Sequence, residues 1–332
     1  MTAALIDYVL FLAKTLTLFL GIGLLVALAV RARRSDQAGA DHLEVTHLND
    51  HYRDLAHQLR QASRPDKAYR RSLKAERQAD KAREKAQAKT QEDRARLFVI
   101  DFQGDIKATE SAALREIVSA LLLEAQAGDQ VLLRLENAGG LVTEHGLAAS
   151  QLTRLRAKGI RLTVAVDKVA ASGGYLMAVV ADQIIAAPFA VVGSIGVVAQ
   201  LPNFHRVLER HGVDFELHTA GDYKRTLTLF GENTDAGREK LRQQLEETHG
   251  LFKDFIHDYR PGLDLARVAT GEYWHGTQAL ALGLIDAIQT SDDFLLALVE
   301  QTDLYRVSYA AHKRPLERLL AAMTQAARQR LR

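Results

Sequence analysis

Short apolar segments alternate with helical segments from residue 97 onward, and this alternation constrains the fold more than any other feature. Segments with strand composition are LFVIDF (97–102), QVLLRL (130–135), RLTVAV (161–166), DQIIAA (182–187) and FELHTA (215–220). Buried strands that are separated by helices form βαβ units. The sequence therefore predicts an α/β fold on a mainly parallel sheet, which we assign to residues 97–310.

The helices between these strands are recognised by amphipathic spacing and by their ends. Ser111–Ala127 is predicted as a helix that ends near Gly128, and Gly146–Ala157 as one that Gly159 terminates. An apolar helix follows Ser172. A long charged helix is expected at Thr234–Tyr259, with Thr234 or Asp235 as its N-cap.

The N-terminal segment, residues 8–30, is almost wholly apolar. A helix of that length rises roughly 30 Å, the hydrocarbon thickness of a bilayer. It predicts a single transmembrane anchor within residues 1–34 that binds the lipid bilayer. A cleaved signal peptide is the alternative, because Ala27-Leu28-Ala29 resembles a cleavage site. Arg31, Arg33 and Arg34 follow the apolar run rather than precede it, which favours the anchor and a cytoplasmic face for the following chain.

Two polar regions flank the predicted domain. Residues 35–96 are rich in Ala, Glu, Lys, Arg and Gln, and residues 66–96 are typical of an exposed helix after Pro65. We interpret this region as a charged helical linker, a solvated stalk rather than a basic strip on anionic lipid. Residues 311–332 form a basic C-terminal segment, with an amphipathic helix predicted at Arg314–Arg332.

Composition excludes several kinds of chemistry. The chain has no cysteine, which rules out thiol catalysis, disulfides and cysteine-ligated metals. Its net charge of +2 gives no reason to expect a nucleic-acid partner. The HExxH, GxSxG, SxxK and Walker A motifs are all absent. No metal site is predicted.

The tripeptide Ser172-Gly173-Gly174 stands at the start of an apolar helix. A helix N-terminus offers free N–H groups to an oxyanion, and glycines let a substrate carbonyl approach the backbone. Ser172 is therefore a candidate nucleophile, with Gly173 as an oxyanion donor. The alternative is that Ser172 only caps the helix.

A second glycine pair, Gly139-Gly140, follows the strand at 130–135. Parallel strands bring their carboxyl ends to one edge of the sheet, where ligands bind. Gly139 or Gly140 could present an N–H beside the Ser172 hydroxyl. An ordinary tight turn is the alternative.

The base is harder to identify, because none of the twelve histidines, His145 among them, stands in a selective pattern. Lys224 lies in TAGDYKRTLTLFGENT (219–234) with apolar neighbours. A lysine buried against such groups loses its charge readily and can act as a base. Ser194, in GSIGV (193–197), could orient the amine. A surface lysine and a loop serine are the alternatives.

Two segments together carry a family resemblance. VDKVAASGGYLMAVVADQIIAAPFAVVGSIGVV (166–198) resembles the serine core of the SppA/SohB signal-peptide peptidase family, and ELHTAGDYKRTLTLFGENT (216–234) resembles its lysine segment. The similarity runs from about residue 97 to about residue 296. The short length and the lack of a duplicated half are most similar to the SohB type.

The resemblance implies a ClpP/crotonase-like fold of repeated ββα units and a membrane-anchored serine endopeptidase. It implies Ser172 as nucleophile and Lys224 as general base, with no metal or organic cofactor. It also implies a homo-oligomer in which a neighbouring subunit completes each site. Substrates would be unfolded proteins or peptides, such as signal-peptide remnants or misfolded membrane and envelope proteins.

One departure concerns the turn Asn137-Ala138-Gly139-Gly140. Relatives usually carry proline or glycine before the glycine pair, so the stiffness of this turn is an open question. The expected location is the inner membrane, with the catalytic domain on either its cytoplasmic or its periplasmic side. A crotonase-type acyl-CoA enzyme, with Glu136 and Glu144 as available carboxylates, and a non-catalytic membrane scaffold are the alternative functions.

Overall fold

The computed structural model describes residues 42–90 and 94–310. The predicted anchor at 8–30 and the predicted helix at 314–332 lie outside these residues. Within the described ranges, no helix is both long and apolar enough to cross a membrane. Residues Glu44–Ser308 form one compact unit.

Ten strands occur in the described part of the chain. They are β1 (His42–His47), β2 (Arg96–Gly104), β3 (Gln130–Asn137), β4 (Arg161–Val166), β5 (Val169–Ala171), β6 (Gln183–Ala186), β7 (Val191–Gly193), β8 (Tyr273–His275), β9 (Ala287–Ile288) and β10 (Asp303–Ala310). The predicted strands at 97–102, 130–135, 161–166 and 182–187 are confirmed as β2, β3, β4 and β6.

Ten helices accompany the strands in the same described ranges. They are α1 (Leu48–Ser63), α2 (Asp66–Thr90), α3 (Ser111–Glu124), α4 (Val142–Ala157), α5 (Gly173–Ala178), α6 (His205–Arg210), α7 (Asp235–Tyr259), α8 (Leu265–Val268), α9 (Gly276–Ala281) and α10 (Ser291–Leu298). Thr234 is the N-cap of α7, and its side chain accepts a hydrogen bond from the Gly237 N–H.

The strands form a main layer and a side branch. The main layer has the order β1-β10-β2-β3-β4-β6-β9, and its neighbours from β10 to β9 are parallel. The branch consists of β5, β7 and β8, where β5 pairs in parallel with both β3 and β7. The prediction of a mainly parallel α/β sheet is confirmed.

The core lies where the main layer meets its helices. Val99, Leu132, Leu133, Val164 and Ile184 are all fully buried. Each such side chain contributes roughly 1.5–3 kcal/mol on burial. This packing holds the central strands rigid, and their carboxyl ends therefore present the residues that follow them in fixed positions.

The compact unit begins inside the segment that the sequence assigns to the linker. Leu48 and Asn49, at the start of α1, are buried. The Asn49 amide donates to the carbonyls of Val299 and Thr302 at 2.8 and 2.9 Å, and its oxygen accepts from the Leu304 N–H at 2.8 Å. These bonds tie the start of α1 to the region around β10.

Three further expectations differ from the structure. The strand predicted at 215–220 is wrong, because these residues form a loop with exposed side chains and pair with no strand. Helix α4 begins at Val142, four residues before the predicted start, because Gly146 is tolerated inside it. Helix α3 ends at Glu124 rather than at residue 127.

Candidate active site

Strand β3 pairs with a strand of the main layer along most of its length and with a strand of the branch at its carboxyl end. This brings the two glycine segments together. Residues 130–134 of β3 pair with β4, but Asn137 pairs with Ala170 of β5. In that register, two residues further along each strand, Gly139 lies opposite Ser172. The sequence prediction placed both segments at one sheet edge, and the structure joins them there.

Ser172 links β5 to α5 in a strained backbone conformation, with φ 52° and ψ −119°. Its N–H donates to the Gly193 carbonyl at 2.8 Å, and its own carbonyl accepts from the Leu176 N–H at 2.9 Å. The side chain makes no capping hydrogen bond. A non-glycine residue at positive φ costs about 1–3 kcal/mol and is found most often at functional sites. The capping alternative is therefore not supported.

Gly139 and Gly173 leave no room for side chains beside Ser172. Gly139 has φ +89°, and a Cβ there would lie 2.7 Å from the Ser172 Cβ and 2.8 Å from the Gly173 nitrogen. A Cβ on Gly173 would lie 2.4 Å from the Cγ of His145. The close approach of these backbones requires glycine at both positions.

The two glycine segments present free amide donors beside the serine. The Gly139 N–H is already occupied, since it donates to Asn137 Oδ1 at 2.8 Å. In the described part of the chain, the N–H groups of Gly140 and Gly173 have no acceptor. Both residues line a cavity together with Ser172. Of the two alternatives that the sequence left open, Gly140 rather than Gly139 has the available donor.

The cavity beside Ser172 has a volume of about 380 Å³ and lies between α4, α5, α7 and residues 196–198. Its lining includes the apolar side chains of Val142, Ala149, Leu176, Val197, Val198, Leu251, Phe252 and Phe255. Such a lining favours an apolar group over a charged one, because a charge would lose its hydration without gaining a partner.

Ser194 occupies the position on β7 that matches Ser172 on β5. Ala171 pairs with Gly193, and each strand is followed by a serine at positive φ, 51° in the case of Ser194. The Ser194 N–H donates to the Glu272 carbonyl at 2.6 Å. Ser194 does not line the cavity, so the structure places it next to Ser172 in register without giving it a contact in the site.

Lys224 lies apart from this group, in a segment that we name the lysine loop, residues 211–234. Its side chain is exposed, and its N–H donates to the Gly221 carbonyl at 3.1 Å. Lys224 does not line the cavity that contains Ser172. The same loop contains several exposed large apolar or aromatic side chains: Val213, Phe215, Leu217, Tyr223, Leu229 and Phe230.

Asn137 and His145 belong to the site but were not selected from the sequence. Both are fully buried, and His145 Nε2 lies 3.2 Å from Asn137 Oδ1. The sequence offered one signal, the polar residue Asn137 at the carboxyl end of the apolar strand β3. The other partner could not be selected because the contact depends on how the turn closes.

Two consecutive parts of the chain match sequence models of one peptidase family. Residues 3–152 match "Peptidase family S49 N-terminal", and residues 154–305 match "Peptidase family S49". A Haemophilus influenzae protein named "Probable protease SohB" is 46% identical over 314 residues, covering 92% of this chain and 89% of that protein. Another of that name, from Buchnera aphidicola subsp. Schlechtendalia chinensis, is 46% identical over 88% of this chain and 98% of its own length.

Solved structures match this chain only at low TM-score and low sequence identity. A mutant of the 1510-N membrane-bound stomatin-specific protease, in complex with a substrate peptide, has a TM-score of 0.41 and 11% identity, covering 70% of this chain and 99% of that one. An enoyl-CoA hydratase/isomerase from Marinobacter aquaeolei has a TM-score of 0.38 and 14% identity over 63% of this chain and 73% of its own. The assignment rests on the family matches and the curated relatives. By that measure the chain belongs to peptidase family S49 and is a SohB-type serine peptidase.

Proposed function

We propose that this peptidase is a membrane-anchored endopeptidase in which Ser172 is the nucleophile and Lys224 the general base. The observation that carries the proposal is the position of Ser172. It has a strained backbone, an uncommitted side chain, and the free N–H groups of Gly140 and Gly173 beside it in one cavity. These are the parts that an acyl-transfer site requires.

The proposed reaction assigns one role to each of these groups. Neutral Lys224 accepts the proton of the Ser172 hydroxyl as its oxygen attacks the peptide carbonyl carbon. The N–H groups of Gly140 and Gly173 bind the oxyanion of the tetrahedral intermediate. Lys224 then returns the proton to the leaving amine, and the C–N bond breaks. Lys224 next deprotonates a water molecule, which hydrolyses the acyl-enzyme and restores Ser172.

A second copy of the chain would bring the lysine to the serine. Lys224 is exposed and does not line the cavity of its own subunit. Phe204, Phe215 and Phe230 are all partly exposed; the Phe230 ring stacks on Phe204 with a centroid distance of 6.1 Å and lies tilted against Phe215 at 5.7 Å. Exposed aromatic clusters are typical of interaction sites. The proposed homo-oligomer therefore places the lysine loop of one subunit against Ser172 of its neighbour.

The proposed substrate is an extended peptide with an apolar side chain in the cavity. A peptide strand could pair with the backbone that follows β3, and the cavity would receive one side chain. Unfolded stretches of signal-peptide remnants and misfolded membrane proteins offer such segments. The predicted anchor at residues 8–30 would hold the enzyme at the inner membrane. Membership of family S49 does not favour the acyl-CoA enzyme or the scaffold.

The finer fold assignment is also a proposal: a ClpP/crotonase-like arrangement of repeated ββα units. It is supported by the alternation of β4 with β5 and of β6 with β7 between the main layer and the branch. Helix α5 follows the first of these strand pairs. The repeat places the residue after each branch strand at the same edge.

The test is casein cleavage by the detergent-solubilised full chain. Ser172→Ala, Lys224→Ala and Lys224→Arg are expected to lose activity, the last because arginine cannot supply a neutral base. The control variants Ser63→Ala and Lys158→Ala, at exposed positions away from the cavity, should cleave at the wild-type rate. Full activity in Ser172→Ala, with assembly unchanged, would contradict the proposal.

A further inference from the structure

The buried amide of Asn137 connects the two segments that supply the oxyanion donors. Its Oδ1 accepts from the Gly139 N–H at 2.8 Å and lies 3.2 Å from His145 Nε2. Its Nδ2 lies 3.4 Å from the sulfur of Met177, in α5. Asn137 therefore touches the glycine turn, helix α4 and helix α5 at once.

The orientation of the amide is fixed by its partners. The Gly139 N–H can only donate, so the atom that faces it must be the oxygen of Asn137. His145 donates to the same oxygen when its Nε2 carries a proton. The other ring nitrogen, Nδ1, lies 3.0 Å from the carbonyl of Leu141, the N-cap residue of α4, and a neutral ring donates from only one of its two nitrogens. The Nε2–H tautomer is the one in which the imidazole bonds to Asn137, and its ring then lies against the N-terminus of α4.

The surrounding backbone is shaped to fit these two side chains. A Cβ on Gly104 of β2 would lie 2.3 Å from Asn137 Cγ, so the absence of a side chain there makes room for the amide. A Cβ on Gly173 would meet the His145 ring at 2.4 Å. The pair thus packs directly against the segment that carries the Gly173 N–H.

The turn itself lacks the usual source of stiffness. Gly139, with φ +89°, has the positive φ that the third residue of a type II turn requires, and proline is common at the second position of such turns. The second position here is Ala138. The bond from the Gly139 N–H to Asn137 Oδ1 spans two residues and is an Asx turn, which closes the same loop with a side chain.

We propose that Asn137 and His145 are positioning residues that preorganise the N–H groups of Gly140 and Gly173 for the oxyanion. Asn137 fixes the glycine turn through its bond to the Gly139 N–H. His145 orients the Asn137 amide, and its ring packs against Gly173 at the start of α5. This inference rests on the proposed function. It predicts loss of transition-state stabilisation rather than loss of substrate binding, because an oxyanion donor acts on charge that develops during the reaction.

The test measures kcat and KM on a casein-derived peptide, together with inhibition by a peptide aldehyde, whose hemiacetal oxygen mimics the oxyanion. Removing one oxyanion donor costs about 10²–10³ in kcat. A donor that is only less well fixed should cost less than one that is removed. We therefore expect Asn137→Ala and His145→Leu to lower kcat by about 10- to 100-fold, with KM within about threefold of the wild-type value. Aldehyde affinity should fall by a similar factor.

Two rescues separate positioning from general stability. His145→Gln places an amide N–H near the position of Nε2 and should recover most of the kcat that His145→Leu loses. Ala138→Pro should recover kcat in the Asn137→Ala background, since proline fixes the turn by another route. The matched control on α4 is Thr153→Ala, whose hydroxyl donates to the Ser150 carbonyl, and it should keep wild-type kinetics.

The outcomes are distinguishable from failure of the proposed function. Cleavage that persists in Ser172→Ala would overturn the proposed function. Ser172-dependent cleavage with unchanged kcat in Asn137→Ala and His145→Leu would overturn only the positioning role. So would a loss of kcat that is equal in His145→Gln and His145→Leu. If Asn137→Ala does not assemble, the two His145 variants and Gly104→Ala, which displaces the amide, carry the test.

Discussion

At Ser172 the backbone and the side chain have separate tasks. The backbone starts α5 and donates its N–H to the Gly193 carbonyl, while the hydroxyl makes no capping hydrogen bond and the residue lines a cavity. A residue that only capped the helix would use its hydroxyl on an N–H of the first turn. The strain at φ 52° is maintained because β5 and α5 fix both sides of the residue.

A substitution at Gly173 tests how tightly the backbone next to Ser172 packs against His145. Gly173→Ala would place a Cβ 2.4 Å from His145 Cγ, so the ring or the helix start must move. We expect a loss of about 1–3 kcal/mol in the free energy of unfolding, and a fall in casein cleavage of at least about 100-fold because the oxyanion donor shifts.

The control for this variant is Gly250→Ala in α7, where a new Cβ meets no atom within 4 Å. That change should stabilise the protein by about 0.5–1 kcal/mol, since alanine is the better helix former. Denaturant unfolding measures both variants. Equal stability and activity in Gly173→Ala and wild type would contradict the packing described at the site.

Glu110 gives a pH-dependent prediction. Burial raises the pKa of the Glu110 carboxyl above its ordinary value of 4.5, the Gln103 N–H lowers it, and the charges of Asp101 and Asp105 raise it further. A carboxyl whose pKa is raised by folding contributes stability below its unfolded pKa, and that contribution is lost as pH rises through the folded pKa.

Glu110→Gln removes this titration and retains an oxygen for the Gln103 N–H. We expect the variant to melt at a higher temperature than wild type at pH 7, and the two proteins to converge near pH 4. Thermal unfolding across this range measures the difference. A variant that is less stable than wild type by the same amount at both pH values would show that burial does not penalise the Glu110 charge.

At the scale of elements, the sequence identifies what is buried and continuous. The strands at 97–102, 130–135 and 161–166 were predictable because apolar residues dominate each segment over the length of a typical strand. Proximity of Gly139 to Ser172 also followed from the common edge of parallel strands. Strand β1 and helix α1 were not predictable, since their polar composition hides the few buried residues, Leu48 and Asn49.

The rest of the site depends on long-range contacts, which local sequence patterns do not predict. The bond between Asn137 and His145 depends on the closure of the turn that separates them, and twelve histidines offered no basis for selecting one. The segment 215–220 has the composition of a strand but lies in the exposed lysine loop. In the proposed assembly, its exposed apolar residues would contact the neighbouring subunit.

A buried side-chain hydrogen bond connects helix α5 to the Leu284 carbonyl. Tyr175 is fully buried, and its hydroxyl donates to the Leu284 carbonyl at 2.9 Å. Burial raises the pKa of this phenol far above its ordinary value. Tyr175→Phe leaves the carbonyl unpaired, so we expect a loss of about 1–3 kcal/mol in the free energy of unfolding.

Urea unfolding of Tyr175→Phe, beside Tyr223→Phe, measures this loss. Tyr223 is exposed, and removal of its hydroxyl should change stability by less than about 0.5 kcal/mol. Equal effects of the two changes would mean that the buried bond does not anchor α5.

At the scale of the whole molecule, the proposed nucleophile and the proposed general base do not share one cavity within a single chain. The compact unit Glu44–Ser308 brings together Ser172, Gly140, Gly173 and an apolar cavity. It leaves Lys224 exposed on a loop with an apolar surface. A symmetric assembly with head-to-tail contacts would give every serine a lysine from its neighbour.

The most direct test mixes two inactive variants. Ser172→Ala and Lys224→Ala are purified separately, dissociated, combined in equal amounts and allowed to reassemble, and casein cleavage is then measured. If each site joins two subunits, random assembly makes about a quarter of the sites intact, and that share of wild-type activity should return. No recovery in assemblies shown by mass spectrometry to contain both variants would contradict a catalytic pair formed between neighbouring subunits.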